Sequence, residues 1–94
     1  PIYCGIDWGH RRPHVLWYQH DIKGSYTGQE DTGVVFAEFC EDDVPLDRLM
    51  DYLCECVYDR GWRPDRFCID PGGDTSIQGR RALRQAFPEI RIDA

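Results

Sequence analysis

The feature that most constrains the fold is the order of hydrophobic periods along the chain. Three runs rich in β-branched and aromatic residues come first, and stripes of helical spacing then alternate with short β-prone runs. The predicted strands cover residues 2–8, 14–20, 34–40, 65–70 and 90–92, and the predicted helices cover residues 45–60 and 75–87. This β-β-β-α-β-α-β order predicts an α/β fold with a mixed sheet, in which parallel strands continue a three-stranded antiparallel meander through right-handed crossovers.

Both helices are identified by an apolar stripe and by residues that favour helix ends. Pro45 suits a first helical turn, and Gly61 favours a stop. The second helix opens with the capping-box spacing of Thr75 and Gln78, and it ends before Pro88. The apolar stripe of the first helix consists of Leu46, Leu49, Met50, Leu53 and Val57.

Length and charge limit the classes of protein to which the chain can belong. Its 94 residues suffice for one small domain spanning residues 1–94, and no apolar run approaches the roughly 20 residues that a bilayer requires. The net charge is −6, and the acidic excess lies in residues 1–59. This negative charge excludes a protein that coats nucleic acid by charge alone. An enzyme that holds divalent cations with carboxylates could still act on a nucleic-acid substrate.

The cysteines favour a reduced protein without structural zinc. Five cysteines form an odd set with no CxxC motif, and four of them lie in predicted strands or helices. Cys54 and Cys56 would point about 200° apart on a helix, so the pair cannot chelate one zinc ion.

Two predicted strands end on an aspartate. Asp7 is followed by Gly9 and Asp70 by Pro71 and Gly72, residues that let the backbone turn away. Reactive groups in α/β sheets collect beyond the carboxyl ends of strands. If the two strands are parallel neighbours, both carboxylates project into one crevice, where hard oxygen ligands suit Mg²⁺ or Mn²⁺.

Simpler interpretations of the same residues stay open. Aspartate at a strand end is often a turn former or a helix N-cap, and Asp74 fits the second role. The turn over residues 10–14 follows Asp7 directly and would rim the same crevice, although such turns are usually solvated. Trp8, Trp17 and Tyr18 are expected to pack in the core rather than to stack on bases. By default, Arg80, Arg81 and Arg84 would lie on a solvated face of the second helix.

Two segments resemble the nuclease domain of the large terminase subunit of tailed bacteriophages. Residues 3–9, Tyr-Cys-Gly-Ile-Asp-Trp-Gly, with Arg-Pro-His at residues 12–14, resemble its opening strand. Residues 67–73, Phe-Cys-Ile-Asp-Pro-Gly-Gly, followed by Ile77, an arginine-rich helix and residues 90–94, resemble its later stretch of strand, Asp-Pro-small, helix and strand. The resemblance follows the order of elements over most of the chain.

This resemblance implies a ribonuclease H-like fold and a metal-dependent endonuclease that cuts concatemeric double-stranded viral DNA during packaging. Asp7 would bridge two Mg²⁺ or Mn²⁺ ions, and Asp70 would be the ligand on the parallel strand, both serving two-metal phosphodiester hydrolysis. The expected partners besides DNA are the portal and the small terminase subunit, in the cytoplasm of the infected bacterial host. The arginines that would clamp DNA phosphates are Arg11, Arg12, Arg80, Arg81 and Arg84.

The sequence lacks two features of the family, a third acidic ligand and the motif of an ATPase motor. The family carries a third acidic ligand on a later helix; nothing of that kind occurs before Ala94, and Asp93 comes too early. No phosphate-binding motif of an ATPase motor is present in the sequence. Because the chain also begins at Pro1 rather than Met, we interpret it as a truncated nuclease domain from a longer protein.

Two further functions remain open. In an actin-like or sugar-kinase half-domain, residues 5–9 would form a phosphate loop, although such loops usually continue with Gly-Thr or Ser. In a non-enzymatic docking module, the acidic residues 41–51 would meet a basic partner such as a packaging subunit. We also expect the strand at residues 90–92 to leave a sheet edge open to self-association.

Overall fold

The computed structural model describes residues 1–9, 12–70 and 74–93, with the backbone alone at residues 74 and 75. The predicted element order is confirmed. The elements are β1 (Ile2–Asp7), β2 (His14–Asp21), β3 (Thr32–Cys40), α1 (Leu46–Cys54), a π-helical turn (Glu55–Asp59), β4 (Arg66–Ile69), α2 (Asp74–Ala86) and β5 (Arg91–Asp93).

The five strands form one mixed sheet in the order β3-β2-β1-β4-β5. Strand β2 is antiparallel to both β1 and β3, whereas β4 is parallel to both β1 and β5. The prediction of an antiparallel meander continued by parallel strands is therefore confirmed. In the pairing of β1 with β4, Ile6 lies opposite Ile69, so the two strands that were predicted to end on aspartate are parallel neighbours in matching register.

The hydrophobic core lies on one face of this sheet. Residues that alternate along the central strands point toward both helices, as the period of two requires. Leu49 and Leu53 of α1 and Leu83 of α2 pack against them in one cluster. The sheet residues in this cluster are Cys4, Ile6, Val15, Trp17, Phe67 and Ile69.

The other face of the sheet is open to solvent over the part of the chain that the structure describes. Leu16 in the middle of β2 is 37% exposed there, and Cys68 of β4 is also exposed. Because β1, β2 and β4 alternate in register, Tyr3, Asp7 and Tyr18 face the same side as Leu16. We call this side the open face.

The first helix departs from the predicted regular helix over residues 45–60. Its α-helical part ends at Cys54, and the next residues form a π-helical turn whose hydrogen bonds span five residues. The Arg60 N–H donates to the carbonyl oxygen of Glu55 at 3.0 Å. Gly61 then has a φ of +74°, which a glycine adopts without strain, so its predicted role as the stop is confirmed.

No helix within the described residues is long and apolar enough to cross a membrane.

Candidate functional site

The two aspartates that the sequence singles out lie at the same edge of the sheet. Asp7 is the last residue of β1, and Asp70 directly follows β4. Because Ile6 and Ile69 are register partners, Asp7 and Asp70 occupy matching positions on strands that are about 4.8 Å apart. Both residues are exposed. The alternation of β1 directs Asp7 to the open face, and the same alternation continued one residue beyond β4 would direct Asp70 there as well.

A local hydrogen bond holds the Asp7 carboxylate. The Gly9 N–H donates to Asp7 Oδ1 at 3.1 Å, an arrangement typical of an aspartate that starts a turn. Gly9 has a φ of +56°, a conformation that favours glycine. The simpler interpretation of Asp7 as a turn former thus accounts for one carboxylate oxygen, Oδ1.

Buried contacts with α2 fix the ends of both strands. Ser76 in the first turn of α2 is 1% exposed, and its hydroxyl donates to the carbonyl oxygen of Asp70 at 2.6 Å. Trp8, which follows Asp7, is 5% exposed and lies against Gly79 of α2. The first two turns of α2 therefore position both aspartates from beneath the sheet.

His14 lies beside Asp7 on the open face and pairs with Glu38, a contact that no local pattern of the sequence predicts. His14 of β2 is the cross-strand partner of Asp7. Its Nε2–H donates to Glu38 Oε1 of β3 at 2.6 Å. Together with Asp7 and Asp70, these side chains form a band of polar residues at this edge, from β4 across β1 and β2 to β3. Finding the pair requires the register of β3, which sets Glu38 opposite Leu16 and therefore on the face of His14.

The structure distributes the predicted DNA-binding arginines over different surfaces. The exposed Arg12 forms an ion pair with Asp42, with 2.5 Å between Arg12 Nε and Asp42 Oδ1. Arg80 is half-buried and Arg81 is exposed on α2. Arg84 borders a groove with Phe87, Ile90 and Ile92, about 15 Å along the helix from its first residue, and is therefore not brought to the carboxylates. Arg11 lies outside the described residues.

The donor set at this edge suits a hard divalent cation that keeps several water ligands. Mg²⁺ is commonly held by one or two carboxylates, with water and phosphate oxygens completing its octahedron. Asp7 and Asp70 supply that number of carboxylates. Among the described residues, no group of three or more His, Cys, Asp or Glu side chains is arranged to hold a metal ion. A site here therefore depends on water and substrate oxygens.

A second polar region lies between the end of β3 and α1. This acidic groove has a volume of about 550 Å³. Its floor includes the rings of Phe39 and Tyr52, whose centroids are 4.3 Å apart. Burial raises the pKa of Tyr52 to about 12. The charged residues that line the groove are Glu41, Arg48, Asp51, Glu55 and Asp59.

No protein-family model and no curated protein matches this sequence.

Proposed function

We propose that the chain is a ribonuclease H-like, metal-dependent DNA endonuclease domain of a viral DNA-packaging terminase. The observation that carries the proposal is the position of Asp7 and Asp70 at the carboxyl ends of adjacent parallel strands, each directly after the register pair Ile6 and Ile69. The sheet order β3-β2-β1-β4-β5 and the two motifs that resemble the terminase nuclease support it. Double-stranded DNA, the portal and the small terminase subunit are the partners that this proposal entails.

In this proposal, Asp7 and Asp70 hold Mg²⁺ or Mn²⁺ at the edge of the open face. When bound, such ions activate water and stabilise the charge that develops on the phosphate during hydrolysis. The chain itself orients the ligands. The Gly9 N–H fixes Asp7 Oδ1 at 3.1 Å, and the Ser76 hydroxyl fixes the backbone of Asp70 at 2.6 Å. A site pre-organised in this way loses little freedom when it binds.

Arginines near this edge would position the DNA backbone. Arg12 follows β1 and is 71% exposed at its side chain, so a phosphate can replace Asp42 as its partner. Arg11, Arg80 and Arg81 remain predicted phosphate contacts, because the resemblance to the terminase nuclease implies this role. Such contacts fix the register of the DNA and carry no sequence information.

Calorimetric titration of the chain with Mn²⁺ tests the proposal. We expect saturable binding that is lost in both Asp7→Asn and Asp70→Asn. Asparagine retains an oxygen that accepts the Gly9 N–H, so Asp7→Asn removes the charge and keeps the turn. The matched control is Asp51→Asn, which removes one charge from the acidic groove and should leave the titration unchanged.

Cleavage of plasmid DNA then links the metal to the reaction. We expect Mn²⁺-dependent nicking by the parent chain and its loss in both strand-end variants. Mn²⁺ binding that survives both substitutions would place the ion elsewhere and return Asp7 and Asp70 to the role of turn formers.

The acidic groove supports a second candidate function, a docking module for a basic partner. Glu41, Asp51, Glu55 and Asp59 surround aromatic rings, and Arg48 compensates only one of these charges, with 3.3 Å between its Nη2 and the Glu41 carboxylate. The apolar stems of lysine or arginine pack on aromatic faces while carboxylates bind their charged head groups. Binding of a lysine-rich peptide that is lost in Asp51→Asn and Glu55→Gln, but kept in Asp7→Asn, would favour this function.

A further inference from the structure

The imidazole of His14 uses one of its two nitrogens to bind a carboxylate. Its Nε2 lies 2.6 Å from Glu38 Oε1. An ionised carboxylate can only accept a hydrogen bond, so Nε2 carries the proton and Nδ1 of the neutral ring carries the lone pair. Among the residues that the structure describes, none forms a hydrogen bond with Nδ1, and the side chain is 40% exposed. This nitrogen is therefore a proton acceptor that solvent can reach.

The ring lies beside one of the two aspartates of the candidate site. His14 is the cross-strand partner of Asp7, and the Cβ atoms of such partners are about 4.5–5.5 Å apart. Residues that lie directly opposite each other point to the same side of a sheet, so both side chains lie on the open face. A water molecule bound near the Asp7 carboxylate would therefore be next to the imidazole.

Pairing with a carboxylate alone does not make a histidine functional. His20, the other histidine of β2, forms the same kind of pair, with 2.9 Å between its Nε2 and Asp31 Oδ1. It lies on the same strand and face, six residues or about 20 Å from His14. The position beside Asp7 is what distinguishes His14 from this ordinary surface pair.

We propose that His14 accepts the proton of the water that attacks the DNA phosphate, and that Glu38 is the positioning residue that fixes its tautomer. The water oxygen forms a bond to phosphorus while its proton passes to Nδ1. The bond from phosphorus to the 3′ oxygen breaks, its electron pair stays on that oxygen, and a proton from solvent neutralises it. His14 then returns its proton to solvent. The inference rests on the proposed nuclease function for the identity of the substrate.

Glu38 would serve this step in two ways. Its hydrogen bond keeps the proton on Nε2, which leaves the lone pair on Nδ1. When Nδ1 takes the proton of water, the carboxylate stabilises the positive charge that forms on the ring, because hydrogen bonds between opposite charges are stronger than neutral ones.

The tautomer can be measured without metal or DNA. Nitrogen-15 NMR of the imidazole in EDTA distinguishes a protonated ring nitrogen from an unprotonated one. In mildly alkaline buffer we expect the proton of His14 on Nε2 in the parent chain. In Glu38→Gln we expect a mixture of both tautomers, because an amide can accept from Nε2 or donate to it. A proton on Nδ1 in the parent chain would overturn the inference.

Plasmid nicking in Mn²⁺ tests the proton transfer itself. We expect His14→Ala to cleave at least about a hundredfold more slowly than the parent chain, as the loss of a general base does. Added imidazole should raise this rate at least about tenfold, because it supplies a base in the space that the side chain leaves. A merely structural role of His14 would give no such response. Glu38→Gln should cleave at a rate between those of the parent and His14→Ala.

The matched control is His20→Ala, which removes the same side chain from the same strand and face together with its own carboxylate pair. It should cleave like the parent chain and should not respond to imidazole. Circular dichroism identifies a variant that does not fold. His14→Gln, which can still bond to Glu38 but has no basic nitrogen, then replaces His14→Ala in the comparison of rates.

Mn²⁺ titration separates this inference from the proposed function. His14→Ala should bind Mn²⁺ as tightly as the parent chain does. A loss of binding would make His14 a metal ligand and overturn the inference, as would undiminished cleavage by His14→Ala or a rate that imidazole does not raise. An absence of cleavage by the parent chain would instead contradict the proposed function, and the inference would fall with it.

Discussion

At the scale of single residues, the contact of Gly79 with Trp8 reverses a general expectation. Replacing glycine by alanine inside a helix usually adds about 1 kcal/mol of stability. In this chain a Cβ at position 79 would lie 2.5–2.7 Å from three ring atoms of the buried Trp8. We therefore expect Gly79→Ala to lower the free energy of unfolding by about 1–3 kcal/mol, as overpacking does.

Urea denaturation measures this change. Gln85→Ala serves as the control, since Gln85 is exposed on the same helix and its replacement should change stability by less than about 0.5 kcal/mol. A more stable Gly79→Ala variant would mean that the Trp8 ring can shift, and that α2 does not hold the end of β1 as described.

The Asp21 carboxylate gives the fold a pH dependence. It accepts the N–H groups of Thr27, Tyr26 and Ser25 and the Thr27 hydroxyl, at 2.8–3.0 Å. These bonds, the Thr27 N–H foremost, lower the pKa of Asp21 below its usual 3.8. Because the folded pKa is the lower one, the stabilisation is complete above the unfolded pKa and is lost as the pH falls through the folded value.

Thermal unfolding followed from pH 6 to pH 2 checks this expectation. The parent chain should lose stability more steeply below about pH 4 than Asp21→Asn, whose amide does not titrate there. Asp47→Asn, on the exposed side of α1, should follow the parent curve. Parallel curves for the parent and Asp21→Asn would show that the loop bonds do not depend on the ionised carboxylate.

The sequence predicts the role of a residue when that role depends on a local sequence pattern. Asp7 and Asp70 could be found because each ends a β-prone run before a turn. The contacts of Ser76 with Asp70 and of His14 with Glu38 could not, because each depends on the register of segments that are distant in the sequence. Tyr18 was assigned to the core because hydropathy alone does not tell which face of a strand is covered.

At the scale of elements, the two edges of the sheet differ in their tendency to self-associate. The expected open edge, β5, has only three residues, and Arg91 and Asp93 flank its centre. The opposite edge, β3, has nine residues, and Val34 and Val35 are 47% and 52% exposed. Long apolar edge strands pair with other chains, whereas short charged ones do not. We expect β3 to be the edge through which the protein associates.

Size-exclusion chromatography at increasing concentration tests the role of β3. Val34→Lys should reduce the concentration-dependent increase in apparent size, because a charge on an edge strand opposes pairing. The matched control is Ile77→Lys, which introduces the same charge at a 60% exposed position on α2, away from both edges. An equal effect of both substitutions would indicate a general effect of charge instead.

Element order was predictable because each strand and helix has its own hydrophobic period. The sequence did not predict that β1 and β4 are parallel neighbours, because the residues of a strand do not specify which strands it pairs with. The π-helical turn at Glu55–Asp59 was not predictable, because the apolar stripe of α1 continues through Val57 without a break. It arises where the chain leaves the helix toward Gly61, and the Trp62 N–H donates to the carbonyl oxygen of Cys56 at 2.9 Å.

At the scale of the whole molecule, the core and the proposed site lie on opposite sides of one sheet. Helices α1 and α2 bury one face, and Asp7 lies on the other. A ligand at the site therefore reaches the protein without displacing the core. Its binding free energy adds to the stability of the folded chain, provided that the unfolded chain does not bind it.

This coupling gives a prediction for unfolding in the presence of Mn²⁺. At a free Mn²⁺ concentration ten times the dissociation constant, the native state gains about 1.4 kcal/mol, which corresponds to about 6–11 °C in Tm for a domain of this size. We expect this increase in the parent chain and in Asp51→Asn, and an increase below about 2 °C in Asp7→Asn and Asp70→Asn. The comparison is decisive because the net charge of −6 attracts divalent cations everywhere on the surface, and all three variants reduce that charge equally. Equal increases in all four proteins would therefore assign the effect of Mn²⁺ to general charge screening, and only a loss confined to the two strand-end variants locates the ion at the edge of the open face.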